Sequence, residues 1–199
     1  MTIFLWVLSF ILTLALAIFQ RVTGPTYPIR GSEEINGKVI GYKLLRSSTE
    51  LQPLPVRIQA PEEVEAWLSY KRYKTTDNWT EVPMKRQGEY LDGEIPGQPA
   101  AGKVEYTIRV KVGEENLLLN RNTSILARFK GEVPTWLLIT HVILMLLGIL
   151  YAIRTALEAL RKEGNISRLA FWTLIFVFVG AFIMGPIVQK YDFGSWWNG

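Results

Sequence analysis

The stretch WLLITHVILMLLGILYAI, residues 136–153, is an apolar run that contains one ionisable residue, His141. A helix rises about 1.5 Å per residue, so a run of this length approaches the ~30 Å hydrocarbon core of a bilayer. The sequence therefore predicts a membrane-spanning helix over residues 133–163. Pro134 suits its first turn, because proline lacks an N–H that would have no partner there. Its last turns lie in the helix-forming segment RTALEALRKE, predicted as a cytoplasmic extension.

A first apolar block, IFLWVLSFILTLALAIF, occupies residues 3–19 and predicts a membrane-spanning helix over residues 1–20. Ala15-Leu16-Ala17 also fits the small-residue cleavage site of a secretory signal peptide. No Lys or Arg precedes the block, however, and the apolar run continues beyond Ala17. These two features favour an uncleaved signal anchor.

A third block, LAFWTLIFVFVGAFIMGPIV, predicts a membrane-spanning helix over residues 164–190. It is apolar on every side and also carries small residues, which favour close helix neighbours. Residues 191–199 follow as an interfacial tail with two tryptophans, Trp196 and Trp197. The pattern leads us to expect either further membrane helices beyond Gly199 or a protein partner that covers this helix.

The loop RTALEALRKEGNISR, residues 154–168, gives the orientation. It is short and holds four basic residues against two acidic ones. Short loops rich in Lys and Arg lie on the cytoplasmic side. The N-terminus is then inside, and the polar region between the first two spans is outside, in a multi-pass protein of the bacterial cytoplasmic (inner) membrane. The lipid bilayer is thus the first predicted partner.

Between the first two spans, residues 38–132 have the pattern of strands. In KVEYTIRVKV, residues 103–112, apolar and polar side chains alternate, as in a strand with one buried face. Similar alternation in LPVRIQA and VEAWLSYKRY, with further candidates at 38–46, 79–83, 88–95 and 123–130, predicts a β-sandwich of about seven strands. Residues 21–37 are predicted as an extended linker. The fold class is α plus all-β.

One stretch carries a family resemblance: YKRYKTTDNWTEVPMKRQGEYLDGEIPGQPAAGKVEYTIRVKVG. It resembles the second half of a fibronectin type III or immunoglobulin-like domain. The resemblance places Tyr106 at the position of the corner tyrosine of that family. The first half lacks the usual core tryptophan, and Trp67 or Trp79 is expected to fill that volume.

The whole chain is also similar to a family of uncharacterised bacterial multi-span membrane proteins. The segments TGPTYPIRG, YKLLRS and GPIVQKYDFG carry this resemblance. In that family an N-terminal anchor, a β-sandwich and several C-terminal spans follow one another in this order. The resemblance implies an architecture and no activity.

Composition limits the chemistry. The chain has no cysteine, so disulfides, thiolate metal sites and cysteine nucleophiles are excluded. The net charge of +4 is mild, and an outward-facing domain offers no basic face to nucleic acid. No set of residues has a spacing that demands catalysis. We therefore expect no enzyme, no cofactor, no metal and no nucleic-acid partner.

Two groups of residues are candidate sites. His141 and Thr13 fall at comparable depth and form a possible intramembrane polar site. The alternative is a neutral histidine bonded to Thr13, Thr140 or a backbone carbonyl; a haem ligand is a third interpretation. A second group, expected on neighbouring strands, could bind lipid phosphates or an acidic partner, or could be a solvated face: Lys71, Arg72, Lys74, Lys85 and Arg86.

Two functions remain open. In the first, the anchored sandwich recruits or braces a protein partner outside the membrane. In the second, the helices around His141 serve transport or electron transfer within a larger assembly.

Overall fold

The structure is a computed structural model that describes residues 2–161 and 166–196. The chain divides into two compact units. The helical unit consists of Met1–Gly24 and Glu132–Gly199, and the β unit consists of Pro25–Gly131.

The helical unit contains three helices that are long and apolar enough to cross a membrane. They are α1 (Thr2–Thr23), α2 (Thr135–Ala159) and a third helix, Ser167–Phe193. Helix α2 packs against both of the others. Pro134 directly precedes α2, and positions 162–165 of the predicted loop 154–168 lie outside the described residues.

The third helix is not uniform. It consists of α3 (Ser167–Val177), a π-helical segment (Phe178–Met184) and α4 (Gly185–Phe193). Pro186 is the second residue of α4, and only Gly185 separates it from the π segment. Proline lacks an N–H and clashes with the carbonyl four residues earlier in a regular α-helix, so a wider helical turn is favoured just before it. Periodicity alone had predicted one regular helix here.

The β unit consists of two sheets. The first has the order β1 (Ile29–Ile35), β2 (Lys38–Leu44), β4 (Leu54–Gln59), β8 (Tyr90–Ile95) and β7 (Lys85–Gln87). The second has the order β3 (Ser47–Thr49), β11 (Ile125–Lys130), β9 (Lys103–Val112), β5 (Glu65–Arg72) and β6 (Thr80–Pro83), with β10 (Glu115–Leu118) also paired to β9.

The two sheets bury one common core, as in a β-sandwich. Every second residue of β9 from Val104 to Val112 is buried, which is the face that the alternation predicted. Each of the seven predicted strands has a counterpart in the structure. Four short or hairpin strands were not predicted: β1, β3, β7 and β10.

The segment 21–37, predicted as an extended linker, contains strand β1. Strand β1 pairs antiparallel with β2, with Ile35 opposite Lys38. Asn36 and Gly37 form the two-residue turn, and both have positive φ angles, 50° and 74°. Asn-Gly is the sequence most suited to such a hairpin, because both turn positions need a left-handed backbone. The β unit therefore begins before residue 38, at Pro25, because strand β1 is paired with β2.

Neither expected tryptophan fills the core. Trp67 lies between the buried Ala66 and Leu68 on β5, so its side chain points to the opposite face, where it stacks with Arg109. Trp79 is 45% exposed. The largest fully buried side chains are Tyr106 and Phe129, which occupy the volume instead.

Tyr106 also departs from the corner-tyrosine pattern. Its hydroxyl donates a hydrogen bond to the Leu45 carbonyl oxygen, 2.8 Å away and 61 positions earlier in the chain. The corner tyrosine bonds to backbone only a few residues upstream. Burial raises the pKa of Tyr106 well above its usual range. The residue joins β9 to the end of β2 from inside the core.

Residues 22–132 are expected to fold on their own as a soluble β domain in reducing buffer. The unit has a core of its own and contains no cysteine, so its folding does not depend on disulfides. Far-ultraviolet circular dichroism and a cooperative urea transition check this. A helical or unfolded spectrum would contradict it.

Candidate functional site

His141 lies on α2 and joins it to the third helix. Its Nδ1 is 3.0 Å from the carbonyl oxygen of Gly180, inside the π-helical segment. A carbonyl oxygen only accepts hydrogen bonds, so Nδ1 is the donor in this contact. The same carbonyl accepts the N–H of Gly185, five residues later. The ring therefore links two helices through a backbone group at an irregular turn.

Two glycines let the helices approach closely enough for this contact. A Cβ on Gly148 would lie 3.0 Å from Val177 Cγ2. A Cβ on Gly180 would lie 3.1 Å from the sulfur of Met145. Small residues at such crossings allow backbones to come together. Close approach at Gly180 puts its carbonyl within reach of the imidazole.

Thr13, the second residue of the predicted polar site, bonds elsewhere. It is buried on α1, and its hydroxyl donates to the Ser9 carbonyl oxygen at 2.8 Å. Thr140 likewise donates to the Trp136 carbonyl oxygen within α2. Thr13, Thr140 and a backbone carbonyl were the predicted partners of His141. In the structure the partner is a backbone carbonyl, that of Gly180.

Replacing His141 with leucine is expected to lower the stability of the helical unit by only about 1 kcal/mol. The loss is small because the Gly180 carbonyl keeps its bond from Gly185. Thermal unfolding in mild detergent measures it, with Thr140→Val as the control, since that hydroxyl bonds only within its own helix. A variant that melts like the wild type yet abolishes the physiological function would instead favour a chemical role for the imidazole.

The structure does not bring the five predicted basic residues together on neighbouring strands. Lys71 and Arg72 lie on β5 of the second sheet, whereas Lys85 and Arg86 lie on β7 of the first. The chain changes sheets at Met84, between β6 and β7. This change of sheet was not visible in the sequence, and it makes the expectation of neighbouring strands wrong.

Most of these cations also have partners of their own. Lys71 pairs with Glu105 at 3.0 Å. Arg72 pairs with Asp77 through two hydrogen bonds, which lowers the pKa of that carboxyl below its usual range. Acid therefore weakens this pair only as the pH falls below the ordinary carboxyl range, because Asp77 stays ionised above it.

Arg86, half-buried on the edge strand β7, bonds to backbone carbonyls of the neighbouring segment. Its guanidinium donates to the carbonyl oxygens of Ala60, Pro61 and Val64 at 2.9, 2.9 and 2.6 Å. It also reaches the Gly88 carbonyl oxygen. The side chain fastens β7 to the turn before β5, so its charge is used within the fold.

What remains of the predicted patch is an aromatic corner, formed by Lys71, Tyr73, Lys74 and Trp79. The Lys71 ammonium lies 5.1 Å from the centre of the Trp79 ring, and the Lys74 ammonium lies 5.5 Å from the centre of the Tyr73 ring. Exposed aromatic rings beside cations are typical of protein interfaces. Sequence reasoning identified the cations and missed the rings beneath them.

A third cluster, at the ends of the helices, was also missed. Arg154 and Glu158, one turn apart on α2, form an ion pair that is 3% and 6% exposed. Arg161 approaches the same carboxylate at 2.7 Å, and the Arg154 guanidinium lies 5.5 Å from the Trp6 ring of α1. The spacing of Arg154 and Glu158 was the available signal.

Within residues 2–161 and 166–196, no group of three or more His, Asp or Glu side chains could hold a metal ion. No protein-family model and no curated protein matches the chain. Among solved structures, the chain resembles the crystal structure of a Br derivative of BhCBM56, with 8% identity and a TM-score of 0.33, over 52% of this chain and 92% of that chain. So low a score carries no argument about function.

Proposed function

We propose that the protein is an integral membrane protein of the bacterial inner membrane that presents an extracytoplasmic β-sandwich to a protein partner. The sandwich is of the immunoglobulin or fibronectin type III kind. The N-terminus and the loop 154–168 are cytoplasmic. Three apolar helices, one before and two after the β unit in the chain, support insertion, and the basic loop supports the orientation.

The observation that carries the interaction function is the aromatic corner. Trp79 is 45% exposed although it is large and apolar. Trp and Tyr are the residues most enriched at protein interfaces, where a partner removes them from water. The adjacent Lys74, exposed beside the Tyr73 ring, favours a partner with acidic side chains, which would pair with its ammonium group as the rings are covered.

Affinity purification of the full chain in mild detergent, with quantitative mass spectrometry of bound proteins, tests this function. The Trp79→Ala variant is expected to lose the partner. Tyr90→Ala is the matched control, because Tyr90 is 39% exposed, lies beside the Arg57 cation and belongs to the first sheet. A partner retained by Trp79→Ala, or lost equally from both variants, would contradict the assignment of the surface.

A second candidate, a component of transport or electron transfer, is favoured by one observation. The π-helical segment faces the single histidine, and π-helical turns occur frequently at functional sites. The backbone partner of His141 explains the contact without such a role. The His141→Leu comparison above separates the two candidates.

A further inference from the structure

A cleft of about 330 Å³ opens in the helical unit where α1 begins, α2 ends and α3 begins. Four of its lining side chains are charged: Arg154, Glu158, Arg161 and Arg168. Three guanidinium groups against one carboxylate leave a net charge of two positive. Trp6 and Trp172 supply aromatic walls. We refer to this site as the arginine cleft.

The buried guanidinium of Arg154 favours a bound anion in the cleft. The residue is only 3% exposed, yet its guanidinium group carries five N–H donors in a fixed planar arrangement. Its Nη1 lies 2.5 Å from Glu158 Oε2, but the two atoms are not aligned as a hydrogen bond. Among the described residues, its Nε and Nη1 have no hydrogen-bond partner. The single Glu158 carboxylate is shared between the Arg154 and Arg161 guanidinium groups, and a buried charge that shares its counterion favours a further anion nearby.

The backbone reinforces the preference for an anion. The N-terminal residue of α1, Thr2, lines the cleft, and so does Arg168 in the first turn of α3. Helix N-termini carry partial positive charge and unpaired N–H groups. Phosphate matches this environment, because its several oxygens can accept bidentate hydrogen bonds from arginine.

The position of Arg154 along α2 indicates the source of the phosphate. Arg154 follows Thr135, the first residue of α2, by nineteen positions, which is ~28 Å along the helix. This is close to the ~30 Å thickness of the hydrocarbon core. In a helix that crosses the bilayer, the guanidinium then lies at the depth of the lipid headgroups. Basic pockets between helices on the cytoplasmic side are known binding sites for acidic headgroups.

We propose that the arginine cleft binds the phosphate of an anionic phospholipid headgroup. The inference rests on the membrane insertion proposed above. Arg161 and Arg168, which line the cleft and are not fully buried, donate hydrogen bonds to the phosphate, and the buried Arg154 adds its positive charge. The aromatic walls cover the glycerol and the first carbons of the acyl chains.

The test uses the full chain in nanodiscs of phosphatidylcholine, into which phosphatidylglycerol is titrated. Native mass spectrometry counts the retained lipid, and the melting temperature is followed in parallel. Arg161→Gln and Arg168→Gln are each expected to weaken retention on the order of tenfold, since each removes a charge-assisted hydrogen bond. Neither residue is fully buried, so both variants should fold. Arg21→Gln, at the other end of α1, is the matched control and should retain the lipid as the wild type does.

A parallel arm adds inorganic phosphate to phosphatidylcholine nanodiscs. Failure of inorganic phosphate to raise the melting temperature, together with retention of phosphatidylglycerol, supports the lipid headgroup. Equal stabilisation by inorganic phosphate would overturn the assignment of the source. Equal loss of lipid from Arg21→Gln, or no loss from the cleft variants, would overturn the site. A carbonate wash of the membranes separately tests insertion, so failure of the proposed function is distinguished from failure of the cleft.

Discussion

Replacing Arg86 with alanine is expected to lower the free energy of unfolding of the β-sandwich by about 2–4 kcal/mol. One guanidinium satisfies the carbonyl oxygens of Ala60, Pro61 and Val64, and it holds the short strand β7 in addition to the pairing of β7 with β8. Without it, Ala60, which is only 3% exposed, keeps a carbonyl with no donor. The expected effect is large because these carbonyl oxygens lose a charged hydrogen-bond donor where water has little access to replace it.

Urea unfolding of residues 22–132 measures this change. Lys85→Ala is the matched control, because Lys85 is adjacent on β7 and exposed, so its loss should alter stability by less than about 0.5 kcal/mol. Arg86→Lys should remain destabilised, since one ammonium cannot reach all of these carbonyls in the geometry of a fork. If Arg86→Ala unfolds at the same urea concentration as Lys85→Ala, the bonds from Arg86 to the backbone carbonyls do not stabilise the sandwich.

Replacing Glu158 with leucine is expected to destabilise the helical unit by about 3–5 kcal/mol in an uncharged maltoside detergent. The substitution leaves the Arg154 guanidinium buried without its counterion, and the detergent supplies no anion to replace it. The double variant Arg154→Leu/Glu158→Leu should recover most of the lost stability, because two buried leucines need no counterion, whereas a single buried guanidinium does.

Thermal unfolding of the purified protein in the same uncharged detergent, followed by circular dichroism, compares the wild type, the single variant and the double variant. Thr155→Val, on the same helix, is a control of similar size whose hydroxyl bonds mainly to its own backbone at Tyr151. A double variant as unstable as Glu158→Leu would contradict the buried-charge explanation and would point to lost packing instead.

The strands of the sandwich could be read from the sequence because one face of each is buried. Period-two alternation in β9 named its buried residues from Val104 to Val112 correctly. The missed strands β3 and β7 have only three residues each, too few to show alternation. Strand β1 was missed because the turn at Asn36 and Gly37 was treated as part of a linker.

The candidate sites were less predictable because they depend on which residues become neighbours. Lys71 meets Glu105 only because β5 pairs antiparallel with β9 in one particular register. Arg86 finds its carbonyls only because the chain changes sheets at Met84. The partner of His141 depends on the π-helical turn at Gly180, which hydrophobic periodicity does not reveal. The sequence therefore predicted the elements, and the pairing of the charges required the fold.

Orientation in the membrane tests the central proposal most directly. The chain has no cysteine, so a single introduced thiol reports its own location. Glu114→Cys lies in the exposed turn after β9, and Ile166→Cys lies, 42% exposed, just before α3. A membrane-impermeant maleimide applied to spheroplasts is expected to label Glu114→Cys at once and Ile166→Cys only after lysis. The reverse pattern, or labelling of both thiols before lysis, would contradict a β-sandwich outside the membrane with a cytoplasmic loop at 154–168.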